Sequence, residues 1–218
     1  MVTSTEENYL KSIYHLSFNR NGKGLGTKEL AVQLNIAPTS VSNMLKKLKE
    51  KDLIIYEKYG GIALSSSGED IAMFVIRKHR LWETFLVEKM GFTWDEIHEV
   101  AEQLEHIKSN KLIDRLDEYL GYPEYDPHGD PIPKVNGQVR ERHKTTLDLV
   151  EIGKHISVVG VKNDSPVFLQ HITQLGLTMK SKIVIKAHHE FDDLLDVEIE
   201  GKSQMISPEV AKNIYVAT

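Results

Sequence analysis

"TKELAVQLNIAPTSVSNMLKKLKEKDLI", residues 27–54, holds two stretches of helical periodicity separated by a break, and the break decides how the rest of the chain is read. The first stretch runs from about Lys28 to Leu34, the break covers Asn35 to Ala37, and Pro38 suits the first position of a second helix, where a missing N–H costs no hydrogen bond. Val41, Met44, Leu45 and Leu48 recur at helical spacing and form a buried stripe. This is the pattern of a helix-turn-helix. Thr39, Ser40, Ser42, Asn43, Lys46 and Lys47 remain as candidates for nucleic-acid contact. Short hydroxyl and amide side chains near a helix start can reach base edges, while lysines farther along suit phosphates. A plain αα-hairpin is the blander reading of the same residues.

Upstream, residues 4–17 read as a helix opened by Ser4 with Glu7 three residues later, a capping-box pattern, with Leu10, Ile13 and Tyr14 on one face. A Gly-rich turn, "NGKGLG", follows. Downstream, "LIIYEKYGGIALSSSG" reads as two short strands around Gly60-Gly61, which turns the helix-turn-helix into a winged one.

Bulk properties narrow the setting. A chain of 218 residues can bury a sizeable core and form more than one domain. It has no cysteine, which excludes disulfides, thiolate metal sites and cysteine nucleophiles and fits a reducing compartment. "MVTSTEENYL" lacks the basic flank and apolar run of a signal peptide, and no apolar run is long enough for a bilayer, so a cytoplasmic protein without membrane partners is expected. The net charge of −5 hides an asymmetry: residues 1–66 carry nine Lys/Arg against six Asp/Glu, a local +3, which leaves −8 for the remainder. "KKLKEK", residues 46–51, concentrates the basic excess.

Three helices are expected next, from Gly68 to about Lys89, Trp94 to about Lys108 and Asn110 to Leu120. Ile71, Phe74, Val75, Leu81, Trp82, Phe85 and Leu86 suit either a monomer core or contact with a second copy of the chain. "GYPEYDPHGDPIPKVNG", residues 121–137, holds four of the seven prolines and should lack regular structure. Beyond residue 150 come strand patterns, "HISVVGV", "KIVIKAH" and "LLDVEIEG", with a helix from Pro166 to Leu175 inserted, an order that fits a small β-barrel.

Within the middle region, "HEVAEQLEHIKSN", residues 98–110, sets His98, Glu102, Glu105 and His106 on one helical stripe beside apolar neighbours. His79 and Glu83 lie one turn apart on the preceding helix, and Asp126 and His128 face the same way in "DPHG". Burying carboxylates without a cation is costly, so these groupings point to metal, with a solvated charged helix face as the plainer alternative. Oxygen and imidazole donors without sulfur favour Mn(II), or Fe(II), although affinity order lets other divalent metals substitute in vitro.

Together, "TEENYLKSIYHL", "PTSVSNMLKKL", "RKHRLWETFL", "HEVAEQLEH" and "DPHG" resemble the diphtheria toxin repressor family of metal-dependent transcriptional repressors, in its manganese transport regulator branch. The likeness extends over nearly the whole chain, more loosely in the barrel. It implies a mainly α protein with a small β domain: a winged helix-turn-helix DNA-binding domain over 1–66, a helical metal-binding and dimerisation domain with its proline-rich connection over 67–137, and an SH3-like β-barrel over 138–218. The family's primary metal site falls on Glu102, Glu105 and His106, joined by His79 in the manganese branch, with a first-helix ligand at Asn8, which offers a carbonyl oxygen but no charge. Its second site resembles one built from Glu83, Asp126 and His128, with Asp164 completing it from the barrel and His98 as another possible ligand. Glu102 stands where iron-sensing relatives have cysteine, which favours manganese.

The implied function is a repressor that binds double-stranded operator DNA as a homodimer when Mn(II) or Fe(II) is bound, and so controls metal homeostasis. In the metal-free protein the clustered carboxylates should repel one another, so that deleting one would leave stability intact or raise it. Two rivals come from other classes: a winged-helix regulator answering to a small organic ligand, and a di-metal carboxylate enzyme. The latter would use paired Glu-x-x-His motifs, and Gln103 stands where the Glu before His106 would be.

Overall fold

The computed structural model describes residues 2–17, 25–57, 61–141, 143 and 145–217. The expected turns at "NGKGLG" and Gly60 fall largely outside these residues. Two compact units make up the chain: residues 1–79 with 104–108 and 133–138, and residues 80–103 with 109–132 and 139–218. The boundary falls inside one long helix, between His79 and Arg80.

In the first unit, α1 (Ser4–Ser17), α2 (Thr27–Gln33), α3 (Pro38–Glu50) and the hairpin β1 (Ile54–Glu57)/β2 (Gly61–Leu64) close around Leu10, Ile13, Leu30, Val41, Leu45, Leu48 and Ile62. Asn35, at φ 53°, makes the bend between α2 and α3. The left-handed conformation is one that Asn tolerates better than most residues. The hairpin pairs Ile54 with Leu64 and Glu57 with Gly61, and Leu25 bridges to Ile62 at its edge. The cap of α1 differs from expectation. Thr3 Oγ1 accepts from the Glu6 N–H at 3.3 Å and Glu6 Oε2 accepts from the Thr3 N–H at 2.9 Å, so the capping box belongs to Thr3 and Glu6 and leaves Glu7 free for another use. Glu6 also takes Lys51 Nζ at 2.7 Å, tying α1 to the end of α3.

Next comes α4 (Ser66–Met90), which starts so close to the hairpin that a Cβ on Gly68 would stand 1.9 Å from the Leu53 carbonyl oxygen. Val75, Leu81, Trp82 and Leu86 on α4 are buried by the chain itself. The following helix, α5, spans only Ile97–Leu104 instead of Trp94 to Lys108. Before it, Thr93 and Glu96 bond to each other in a turn, with the Thr93 N–H donating to Glu96 Oε2 at 3.1 Å. After Leu104 the chain turns, with the Ile107 N–H on the Leu104 carbonyl, before Ser109 caps α6 (Asn110–Tyr119). Glu105 and His106 therefore sit in a turn, and the supposed single stripe is broken.

Residues 121–137 have no helix or strand beyond a bridge between Tyr125 and Pro131, as their prolines require. The C-terminal part is a five-stranded antiparallel sheet in the order β6-β5-β4-β3-β7, built from β3 (His155–Val161), β4 (Lys182–His188), β5 (Leu195–Ile199), β6 (Lys202–Ile206) and β7 (Ile214–Ala217). Bulges at Val158/Gly160 and Ile185/Ala187 bend it around a core of Ile156, Ile183, Ile185, Val197 and Ile214. α7 (Pro166–Gln174) is inserted after β3 and a short α8 (Pro208–Ala211) before β7. Among the described residues no helix is long and apolar enough to cross a membrane.

Candidate metal centres and nucleic-acid interface

The first unit brings residues from α1, α4 and the turn after α5 to one place. Glu105 is fully buried, and His79 Nδ1 lies 2.6 Å from its Oε2 while Lys11 Nζ lies 2.7 and 2.8 Å from its two oxygens. Burial acts to raise the Glu105 pKa, but the His79 bond and the charges of Lys11 and His79 outweigh it and hold the carboxyl below its usual range. His106 Nδ1 lies 2.6 Å from Glu7 Oε2, and its Nε2 lies 3.8 Å from Glu105 Oε1. Lys78, almost wholly buried, sits 3.9 Å from Glu7 and over the Phe74 ring, and burial pushes its ammonium pKa down.

Each imidazole thus turns its Nδ1 toward a carboxylate, and His106 turns its Nε2 toward Glu105. A ligating histidine oriented through its other nitrogen is the usual arrangement at a metal. Two ligand atoms about 2.2 Å from a common ion stand roughly 3–4.4 Å apart, and the His106 Nε2 to Glu105 Oε1 separation lies in that range. Asn8 Oδ1 adds an independent sign: it is buried and accepts no hydrogen bond. A buried acceptor without a donor is expensive unless a cation or water satisfies it. The residues fit a divalent ion.

One expectation fails here. Glu105 is not held among unpaired like charges, because Lys11 compensates it; deleting it would strip a buried pair instead of relieving repulsion. Glu7 was missed in the sequence, where it passed for the capping partner of Ser4. The equally good Thr3-Glu6 spacing was the signal that could have freed it. Glu102 lies on α5 in the second unit, half-buried, with Oε1 3.6 Å from His98 Nε2.

The second cluster lies wholly in the second unit. Glu83, Asp126 and His128 are buried and their ligand atoms converge within 4.8 Å of one another. His128 Nε2 faces the Trp94 carbonyl at 2.8 Å, so it carries the proton and Nδ1 turns its lone pair toward Glu83 Oε1, 3.8 Å away. His98 Nδ1 stands 3.5 Å from the same oxygen. Asp126 Oδ1 accepts from the His128 and Asp130 N–H groups at 2.8 and 2.9 Å, and Arg80 Nε lies 3.4 Å from its Oδ2. Burial, followed by the charges of Glu83 and Asp130, pushes the Asp126 carboxyl up to about 7. For His128 burial opposes the charged form, but Glu83 and Asp126 prevail and raise its pKa. Repulsion between carboxylates is therefore felt at this cluster. Gly129, at φ +85°, fixes the turn: a Cβ there would meet the Val159 carbonyl oxygen at 2.2 Å, so only glycine lets the "DPHG" segment lie against β3. Asp164 does not join. It is exposed in the loop before α7, outside the group of converging ligand atoms, and its charge acts on His128.

On α3, Thr39, Ser40, Asn43, Lys46 and Lys47 are exposed while Val41, Leu45 and Leu48 are buried. Ser42 is half-buried and its hydroxyl donates back to the Pro38 carbonyl at 3.0 Å, so it is the least available of the candidates.

Comparison with known proteins places these features in context. Residues 1–62 match the family model "iron dependent repressor, N-terminal DNA binding domain", residues 65–134 match "iron dependent repressor, metal binding and dimerisation domain", and residues 145–218 match the FeoA domain. The HTH-type transcriptional regulator MJ0568 of Methanocaldococcus jannaschii is 39% identical over 115 residues, 53% of this chain and 91% of that protein. The HTH-type transcriptional regulator MntR of Bacillus subtilis is 35% identical over 127 residues, 58% of this chain and 87% of MntR. Among solved structures, a manganese-dependent transcriptional repressor in complex with manganese superposes with a TM-score of 0.81 at 33% identity, over 98% of this chain and 99% of that one.

Proposed function

This chain belongs to the diphtheria toxin, or iron-dependent, repressor family of metal-dependent transcriptional repressors, and from that premise we propose that Mn(II) is the ion it answers to and operator DNA, bound as a homodimer, its target. The observation that carries the reading is the convergence of His79, Glu105 and His106 in the unit that also holds the helix-turn-helix. Nitrogen and oxygen donors with no sulfur suit Mn(II). Fe(II) is the alternative, and the iron-dependent family models keep it in play. Asn8 is proposed as a further ligand on its unpartnered oxygen, and Glu102 on the family's sequence pattern. A second ion is assigned to Glu83, Asp126 and His128, with His98 beside them.

The ion would supply a divalent charge that draws these donors together. His106 comes with its ring already set by Glu7, and His79 with its ring set by Glu105, so little ordering remains to be done. Glu7 and Asn8 ride on α1, which packs on α2 and the wing through Leu10 and Ile13 and is tied to the end of α3 by the Glu6–Lys51 pair. Exchanging the direct links of α1 to the Glu105 turn for links through an ion would therefore reset where α3 points. In a homodimer that restriction would set the spacing of two recognition helices, so affinity for metal becomes affinity for two half-sites. Asn43 is the proposed base-reading residue and Lys46 and Lys47 the phosphate contacts. We read the chain as a regulator working in the cytoplasm, not as an enzyme, on the strength of its DNA-binding family match. A DNA-binding titration on the promoter of its own gene tests this, with chelator, Mn(II), anaerobic Fe(II) and Zn(II) as arms. Equal operator binding in the chelator and Mn(II) arms would reject the reading.

A further inference from the structure

We propose that Lys11 is a built-in competitor for the metal: its ammonium occupies the Glu105 carboxylate in the metal-free protein and must leave before a divalent ion can bind. The inference rests on the metal-site reading above and adds to it what sets the concentration at which the site fills.

Lys11 Nζ spans both Glu105 oxygens, at 2.7 and 2.8 Å, and His79 Nδ1 takes Oε2 as well at 2.6 Å. A carboxylate offers about four lone-pair positions, and a bound ion would need at least one of those facing His106 Nε2, beside Oε1. An ammonium bridging the same two oxygens would then lie one ligand's width from a divalent charge. Both cations cannot remain in a buried pocket, because the repulsion between them is little screened there. Charge counting points the same way. Within the first unit the carboxylates of Glu7 and Glu105 already face the ammonium groups of Lys11 and Lys78, with Lys108 near enough to act on Lys78, so no negative charge is left over among these groups. Lys78 is almost wholly enclosed, its side chain 2% exposed, whereas the Lys11 side chain is 12% exposed and sits on a flexible four-carbon stem. Lys11 is the group that can move.

Two consequences follow. In the metal-free state Lys11 fastens α1 to the Glu105 turn, so the N-terminal unit is held by an internal cation instead of falling slack. On binding, the ion must displace that contact, which lowers apparent affinity by the stability of the Lys11–Glu105 pair. The protein would then respond only when free metal exceeds a threshold that Lys11 sets.

The test is Mn(II) affinity by chelator competition on full-length wild type, Lys11→Gln and Lys11→Arg, together with the rate at which Lys11 of the wild type is acetylated by an amine reagent, followed by mass spectrometry. Lys11→Gln, neutral and nearly as long, should bind Mn(II) at least tenfold more tightly, while Lys11→Arg, still charged, should stay within about threefold of wild type. Lys11 acetylation should speed up several-fold when Mn(II) is added, as the ammonium is released to solvent. The labelling experiment needs no variant and stands even if Lys11→Gln folds poorly. Wild-type Mn(II) binding with no gain in Lys11→Gln, or Lys11 labelling unchanged or slowed by Mn(II), overturns the competitor while leaving the site intact. A wild type that binds no Mn(II) removes the site reading and this inference with it.

Discussion

Replacing Glu105 by alanine separates a compensated site from a repulsive one. The carboxylate has 0% exposure and holds Lys11 at 2.7 Å and His79 at 2.6 Å. Breaking a fully buried pair by removing one partner costs about 3–5 kcal/mol, because the other charge is stranded. Lys11 is less confined than that, so its stem can carry the ammonium toward water and the loss should be about 2–3 kcal/mol. At about 2–4 °C per kcal/mol for a chain of this size, the melting temperature in chelator should fall by roughly 5–10 °C. The double variant Glu105→Ala/Lys11→Met should recover most of it, since both charges leave together. Saturating Mn(II), which at a hundredfold excess over Kd stabilises a one-site protein by about 2.7 kcal/mol, should raise the wild-type transition and leave that of Glu105→Ala lower and less responsive. Thermal denaturation followed by circular dichroism, with and without metal, reads all of these. If Glu105→Ala is as stable as wild type in chelator, or more so, the carboxylate is uncompensated and the argument from Lys11 is wrong.

Operator affinity should rise at least about tenfold between chelator and Mn(II), within the 1–3 kcal/mol usual for allosteric coupling, as measured by fluorescence anisotropy. Asn43→Ala should weaken specific binding more than non-specific binding, and an unchanged sequence preference would remove α3 from the groove. Lys46→Ala and Lys47→Ala should lower both kinds of binding and flatten the dependence on salt by about one unit each. Calorimetric titration with Mn(II) should show His106→Ala and His128→Ala each losing a different binding event; retention of every event by both variants would refute both placements.

How far the sequence carried this reading depended on how local each signal was. The helix-turn-helix was legible because Val41, Leu45 and Leu48 repeat at one period and Pro38 marks a start. "DPHG" was legible too, since Asp126 and His128 are close in sequence and need only the turn that Gly129 permits. The Glu105–His106 pair was found for a partly mistaken reason. Periodicity continued to Lys108 on paper, whereas the folded chain leaves the helix after Leu104, where Glu105 and His106 are engaged by α4 and α1. Contacts from 94 and 99 positions away decide that, and no window of local pattern contains them. The same distance hid Glu7 and Lys11. Asp164, a position carried over by spacing in a loosely matching domain, lies on an exposed loop from which its charge acts on His128.

The two clusters differ in what they can transmit. Around His79, Glu105 and His106 the carboxylates are matched by lysines and one of their partners, Glu7, lies on the helix that packs against α2 and α3. Drawing those donors inward changes the constraint on α1, which packs on α2 and the wing and is tied to the end of α3 by the Glu6–Lys51 pair. Around Glu83, Asp126 and His128 every donor belongs to the other unit, and the anchors are a Trp94 carbonyl, Arg80 and a glycine turn pressed on β3. A cation there would neutralise the repulsion that pushes Asp126 up to about 7, and so would stiffen the unit that contains the sheet. Loss of His106 should therefore abolish the DNA response while sparing the second ion, whereas loss of His128 should lower the stability of the sheet-bearing unit and leave a measurable DNA response.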